Sequence, residues 1–384
     1  MEVTQIYQLV NTATQEVLGE SAVLQEKLGN LVDIGTVLFN ANAVEQYAKK
    51  LVNNIGRMVF VNRPYAGGAP SVLMDKWLFG SVLEKVSAEM PEATENESWD
   101  LEDGASYDPN VFHRPVVTAK FFNKRVTFEI EMSFTDRQLR QSFSSAEQMN
   151  GFLTMLYAAV DKSMTVKIDS LIMRTINNLI GETVYAETSG ASISSRTGNK
   201  AVNLLYMYNQ TYSKSLTAAA CLTDPDFIRY AAYIMGLYES RLSKISSLFN
   251  IDGDERFTPA DMLHVVTLAD FRKAAAVFLQ SDTFNKELVA LPRSEEVPYW
   301  QGSGTGYAFT DTGKVYITTA SGHDVTVTGV LGVMFDRNSL GVTNLDRRVT
   351  TNWNAKGEFY NNFYKFDCGS FNALDENFVV FYAA

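Results

Sequence analysis

An unbroken run of helical periodicity from Ser144 to Gly181 constrains the fold more than any other stretch of this chain. Apolar residues recur at Met149, Phe152, Leu153, Leu156, Val160, Met164, Ile168, Leu171, Ile172, Ile176 and Leu179, the three-and-four spacing that keeps one helical face apolar. Ser144 with Glu147, or Ser145 with Gln148, offers a capping box at the start, and Gly181 stands where a left-handed C-cap is expected. No proline interrupts the run. At about 1.5 Å per residue it predicts a helix of roughly 50 Å, a beam far longer than the usual three or four turns.

Around this beam the pattern is irregular. The 384 residues exceed a usual single core and predict two or three subdomains. Residues 1 to about 40 read as an arm: Val17, Leu24, Leu28 and Leu31 allow a short amphipathic helix that Gly19 and Gly29 weaken. Asn42 caps a clearer helix ending at Gly56. From Arg57 strand-like pieces alternate with Pro64, Gly67, Gly68 and Pro70. The segment from Glu89 to Asp108 then has no basic residue and carries Glu92, Glu95, Glu97, Asp100, Glu102 and Asp103. Such a run reads either as a solvated loop or as a protruding one held by a basic partner.

After Pro115 the chain returns as VVTAKFFN and KRVTFEIEMSF, where Val126, Phe128, Ile130, Met132 and Phe134 alternate strictly with polar residues. That is a strand with one buried and one wet face. The strands on either side of the acidic run read as one long two-stranded excursion, which would be barely stable without a surface to rest on. Further on, residues 189–200 read as a flexible connection, Asp226 to Asn250 as a second helix, and MLHVVTLADF as a buried strand entering a helix. TGYAFTDTGKVYITTA reads as a hairpin turning at Asp311 to Gly313, followed by more strand, so the fold class is α+β.

Chemistry is hard to find in this sequence. The three histidines, His113, His264 and His323, lack partners at metal-ligand spacing, and His264 reads as a core residue in an apolar strand. Asp252 and Asp254 resemble the opening of a calcium loop, but Arg256 and Phe257 occupy ligand and turn positions. GSGTG at 302–306 leads into a strand rather than a phosphate-binding helix, and Ser195 and Ser303 lack a nucleophile-elbow pattern. Carboxylates are numerous enough for an acid/base pair, with none singled out. Cys221 and Cys368 form neither a disulfide framework nor a metal motif, and no run reaches the length of a membrane span. A net charge of −11 argues against a surface built to grip nucleic acid. With 24 phenylalanines and 18 tyrosines, the chain is rich in the residues that large apolar interfaces use.

The C-terminal string MFDRNSLGVTNLDRRVTTNWNAKGEFYNNFYKFDCGSFNALDENFVVF, with this order of elements, resembles the major capsid proteins of tailed, especially short-tailed, bacteriophages with the Hong Kong ninety-seven type fold. The corresponding closing pieces here are Val330 to Asp336, Phe359 to Phe366 and Asn377 to Tyr382. The resemblance implies an N-terminal arm (1–55), an extended E-loop (56–118), a peripheral domain with its spine helix (119–205 with 326–384, the helix at 144–181) and an axial domain (206–325). It implies a non-enzymatic shell protein of the virion, assembled in the host cytoplasm as hexamers and pentamers. The expected partners are a portal, a separate scaffolding protein and packaged double-stranded DNA held without sequence specificity, with no cofactor, metal or membrane. An encapsulin-type shell and a carboxylate-dependent hydrolase are the alternatives. Some relatives crosslink subunits through a lysine and an asparagine; Lys76 and Lys85 lie in the loop, with nothing to favour crosslinking. The expected inter-subunit contact sets the acidic run, with Glu92, Glu95, Glu97, Asp100, Glu102 and Asp103, over a neighbour's Arg347, Arg348 and Lys356.

Overall fold

The structure is a computed structural model that describes Gln15 and residues 67–74, 83–96, 100–105, 109–110, 112–135, 146–190, 192–280, 294–301, 308–319 and 322–384. Apart from Gln15, the expected arm lies outside the described residues, as do the helix after Asn42, the capping serines 144 and 145, Lys76, Glu97 and the 302–306 loop.

The predicted beam is present as helix α1, Ala146–Thr188, 43 residues or about 65 Å at 1.5 Å each. It does not stop at Gly181, as expected, but runs seven residues further and ends where Ser189 and Gly190 turn left-handed. The glycine serves a different purpose. A Cβ on Gly181 would stand 2.8 Å from Cγ2 of Ile317 and 3.2 Å from that of Thr319, so the bare backbone lets a hairpin lie directly on the helix. From Thr175 to Val184 almost every residue is buried, and the one-sided apolar stripe gives way to a helix covered nearly all round.

The strands, in order, are β1 Leu73–Met74, β2 Leu83–Ala88, β3 Val117–Phe122, β4 Arg125–Thr135, β5 Ala201–Asn203, β6 Leu263–Leu268, β7 Glu295–Val297, β8 Val315–Thr318, β9 Asp324–Val327, β10 Val330–Asp336, β11 Leu340–Asn354, β12 Phe359–Asn372 and β13 Phe378–Tyr382. They form a five-stranded sheet β5-β13-β10-β6-β7, a four-stranded sheet β1-β11-β12-β4 and two ribbons, β2-β3 and β8-β9. Strands β10 (VLGVMFD) and β13 (FVVFY) are buried at every residue, as central strands with both faces covered must be. Helices α2 (Leu204–Tyr212), α3 (Pro225–Leu242) and α4 (Ala269–Gln280) complete this region. Asp224 caps α3 by accepting from the amides of Asp226 and Phe227 at 2.9 and 3.0 Å, and Pro225 supplies the first turn. Tyr238 of α3 meets Phe381 of β13 edge to face at 5.2 Å.

Two sequence readings change. Helix α3 ends at Leu242, not Asn250, because a bridge between Ser246 and Arg256 turns residues 243–259 into a loop. Asp311 to Gly313 is not a hairpin turn: Phe309–Thr312 is one helical turn, and the hairpin pairs Val315–Thr318 with Asp324–Val327. From Val126 to Ser133, strand β4 alternates half-buried and exposed residues as read.

The chain divides into two compact units. Among the described residues, one comprises 129–135, 146–165 and 347–365, and the other 67–128, 166–346 and 366–384. In the first, the returning strands close with Trp353 and Tyr360 at 4.4 Å, a Thr351–Asn362 hydrogen bond of 2.8 Å and a Lys365–Glu129 ion pair of 3.4 Å.

Candidate subunit interface

The two-stranded excursion expected around the acidic run is the β2-β3 ribbon. Its register pairs Leu83 with Phe122, Glu84 with Phe121, Lys85 with Lys120, Val86 with Ala119, Ser87 with Thr118 and Ala88 with Val117. Because side chains alternate across a strand, every second pair shares a face. Leu83–Phe122, Lys85–Lys120 and Ser87–Thr118 face the chain's own body, where Phe122 meets Phe371 at 5.2 Å. Glu84–Phe121, Val86–Ala119 and Ala88–Val117 face outward.

This partly inverts the usual arrangement. Phe121 is 64% exposed, Val86 60% and Val117 57%, with Glu84 beside them, while Lys85 and Lys120 are half-buried on the inward face with Leu83 and Phe122. Met90, Leu101, Phe112 and Val116 continue the exposed apolar series on the connecting segment. A face of this kind marks a binding surface rather than a solvated one.

The inward lysines meet a cluster of carboxylates built by two turns. The Asn250 side chain accepts from the amides of Gly253 and Asp254 at 2.6 and 2.9 Å, curling the loop. The amides of Ile251 and Asp252 donate to the Leu374 carbonyl at 2.9 and 3.2 Å, which sets Asp252 beside Asp375 and Glu376. Lys85 Nζ lies 2.6 Å from Glu376 Oε1 and 3.2 Å from Asp375 Oδ2. Lys120 Nζ lies 3.4 Å from Asp375 Oδ1 and also pairs with Asp252, and Arg256 comes within 3.5 Å of Asp375. The Asp375 side chain is 1% exposed. Burial pushes its carboxyl up, but Lys85 and Lys120 outweigh that and hold it below the ordinary 3.8. Burial works against the Lys120 ammonium as well, and Asp252 and Asp375 overcome it to raise its pKa above 10.5. Both shifts keep the pair charged between about pH 4 and 10.

The expected contact residues that the structure describes are all surface groups. Glu92, Glu95, Asp100, Glu102 and Asp103 lie exposed in a segment whose described residues have no regular structure beyond a turn at Asp103–Gly104; Glu97 lies outside the described residues. Arg347 and Arg348 are exposed near the middle of β11, and Lys356 is exposed in the turn to β12. The acidic run belongs to one compact unit and the three cations to the other. Sequence reasoning missed Asp375, Glu376 and Asp252, whose role depends on lysines more than a hundred residues away. The only local signal was a pair of lysines at inward positions of the strands.

Among the described residues, no group of histidine, cysteine or carboxylate side chains is arranged to hold a metal ion. No helix among them is long and apolar enough to cross a membrane. His264 is buried as read, stacked on Phe335 at 5.1 Å.

The family model for Phi29-like phage major capsid proteins matches residues 10–382. No curated protein sequence matches the chain. A chain in the capsid structure of Staphylococcus phage Andhra has a similar fold at a TM-score of 0.52 and 8% identity, over 86% of this chain and 87% of that one. A chain in the structure of the head fiber and inner core protein of native bacteriophage P68 gives a TM-score of 0.53 at 9% identity, over 86% and 88% of the two chains.

Proposed function

This chain belongs to the Phi29-like phage major capsid protein family and is a structural protein of the phage head shell, and on that premise we propose that its β2-β3 ribbon is the E-loop through which neighbouring subunits join. The observation that carries the proposal is the ribbon's outward face, where Phe121, Val86 and Val117 are exposed while Lys85 and Lys120 turn toward the chain's own body. Burying Phe121, Val86 and Val117 against a neighbour supplies the apolar core that obligate interfaces need. The acidic run, including Glu92, Glu95, Glu97, Asp100, Glu102 and Asp103, then lies over the neighbour's Arg347, Arg348 and Lys356. Family membership favours this head-shell role over the encapsulin and hydrolase readings.

The proposal extends to the rest of the assembly. Residues 1–55 form the arm, 56–118 the E-loop, 119–205 with 326–384 the peripheral domain around α1, and 206–325 the axial domain. Copies associate as hexamers and pentamers, with a portal and a separate scaffolding protein, in the host cytoplasm. The shell encloses double-stranded DNA without reading its sequence, in keeping with a net charge of −11, and the chain performs no catalysis.

Phe121→Asp tests the contact. Because Phe121 is exposed in the subunit, the variant folds with an unchanged circular dichroism spectrum, and electron microscopy shows no closed particles. Normal particles would overturn the contact. Arg347→Glu with Arg348→Glu tests the charge pairing in the same assay, and unaffected assembly would sink it.

A further inference from the structure

The register of the ribbon sets Lys85 directly opposite Lys120. Like charges facing each other across two strands repel, and a two-stranded ribbon has little stability to spare. The arrangement holds because one carboxylate reaches both: Asp375 lies 3.2 Å from Lys85 through Oδ2 and 3.4 Å from Lys120 through Oδ1. Glu376 adds a second contact to Lys85, at 2.6 Å, and Asp252 a second to Lys120. The ribbon's inward face therefore has two kinds of anchor. At its root Phe122 rests on Phe371 at 5.2 Å, and two residues further along, about 7 Å at strand spacing, the lysine pair straddles Asp375. An aromatic contact alone leaves a pivot, whereas a second anchor displaced along the strand fixes an angle.

We propose that Asp375 pins the ribbon to its own subunit through the opposed Lys85 and Lys120, and that this pin sets the angle at which the ribbon reaches the neighbour and so the curvature of the shell. The inference rests on the reading that the ribbon's outer face docks on a neighbouring copy. Removing one charge alone leaves a buried partner unpaired and endangers folding, whereas removing both lysines with Asp375 and Glu376 leaves only Asp252, whose side chain is 36% exposed, and Arg256, which keeps Asp254 at 3.6 Å. The test therefore combines Lys85→Met, Lys120→Met, Asp375→Asn and Glu376→Gln in one chain, beside a Lys85→Arg, Lys120→Arg chain that keeps the charges.

In the unassembled subunit the fourfold variant keeps the parent's circular dichroism spectrum. Its amide exchange over residues 83–88 and 117–122 rises roughly tenfold or more, a local opening that leaves the rest of the fold protected. Its particles show a broadened or shifted diameter by electron microscopy, while the arginine variant matches the parent in exchange and in diameter. Unchanged exchange in the ribbon overturns the pin, and a loosened ribbon with particles of parental diameter overturns its control of curvature. Normal assembly of the Phe121→Asp variant refutes instead the neighbour contact on which the inference rests, so the two failures are separable.

Discussion

Replacing Gly329 by alanine gives the sharpest test of how the central sheet is held. Gly329 precedes β10 with φ at +68°, and its carbonyl accepts the Ala383 amide at 2.8 Å. A Cβ at this position would stand 2.0 Å from the Ala383 carbonyl oxygen and 2.9 Å from its carbon. Both atoms are backbone, so no rotamer change relieves the clash. Strand β13 must instead retreat by about 1 Å, although its five residues are buried and it is paired with β10 along its length and with β5 from Val380 to Tyr382. Left-handed strain for a residue with a side chain costs about 1 to 2 kcal/mol, overpacking about 1 to 3, and the weakened hydrogen bond about 1. The expected loss is therefore about 3 to 6 kcal/mol, read as a lower urea midpoint of the unassembled subunit. Gly253→Ala is the control: its φ is +79° but nothing lies within 4 Å of the added Cβ, so only the strain of about 1 to 2 kcal/mol applies. Equal midpoints for the two variants would refute the argument that close approach, rather than conformation, fixes the glycine at 329.

Three further outcomes follow from the buried groups. His264 has a pKa held below 6.5, chiefly by burial, with Arg337 acting in the same direction and Glu295 opposing both. The folded state thus takes up its proton less readily than the unfolded chain, so stability falls as pH drops below about 6.5; His264→Gln flattens the difference in urea midpoint between pH 7.5 and 5.5. Burial raises the Cys221 thiol to about 12, and native protein at pH 8 leaves it unalkylated until denaturant is added. Trp300, fully buried, donates from Nε1 to the Val330 carbonyl at 2.9 Å. Trp300→Phe leaves that oxygen unpaired and lowers unfolding stability by about 1 to 3 kcal/mol, measured by urea titration.

Local periodicity made α1, β4, β6 and the acidic loop legible, because in each the burial pattern is written in neighbouring residues. It misplaced the end of α1 because Gly181 reads as a cap unless the β8-β9 hairpin lying on it is known. It misplaced the hairpin turn because Asp311 and Gly313 suit a helical turn as well as a hairpin. The acidic run drew attention for its density of charge. The carboxylates that grip the ribbon are instead Asp252, Asp375 and Glu376, dispersed in sequence and gathered by the Leu374 carbonyl and the Asn250 turn. Nor could the apolar outer face of the ribbon be read before the register was known, because which alternate residues face the body depends on where Lys85 and Lys120 point.

The measurement that bears most directly on this account is cryo-electron microscopy of particles assembled from the chain with the genes that neighbour its own, at a resolution that traces side chains. The account predicts that Val86, Val117 and Phe121, exposed in the single subunit, lie buried against an adjacent copy, with Lys85 and Lys120 still on Asp375 of their own chain. A shell in which those three side chains face solvent would contradict it.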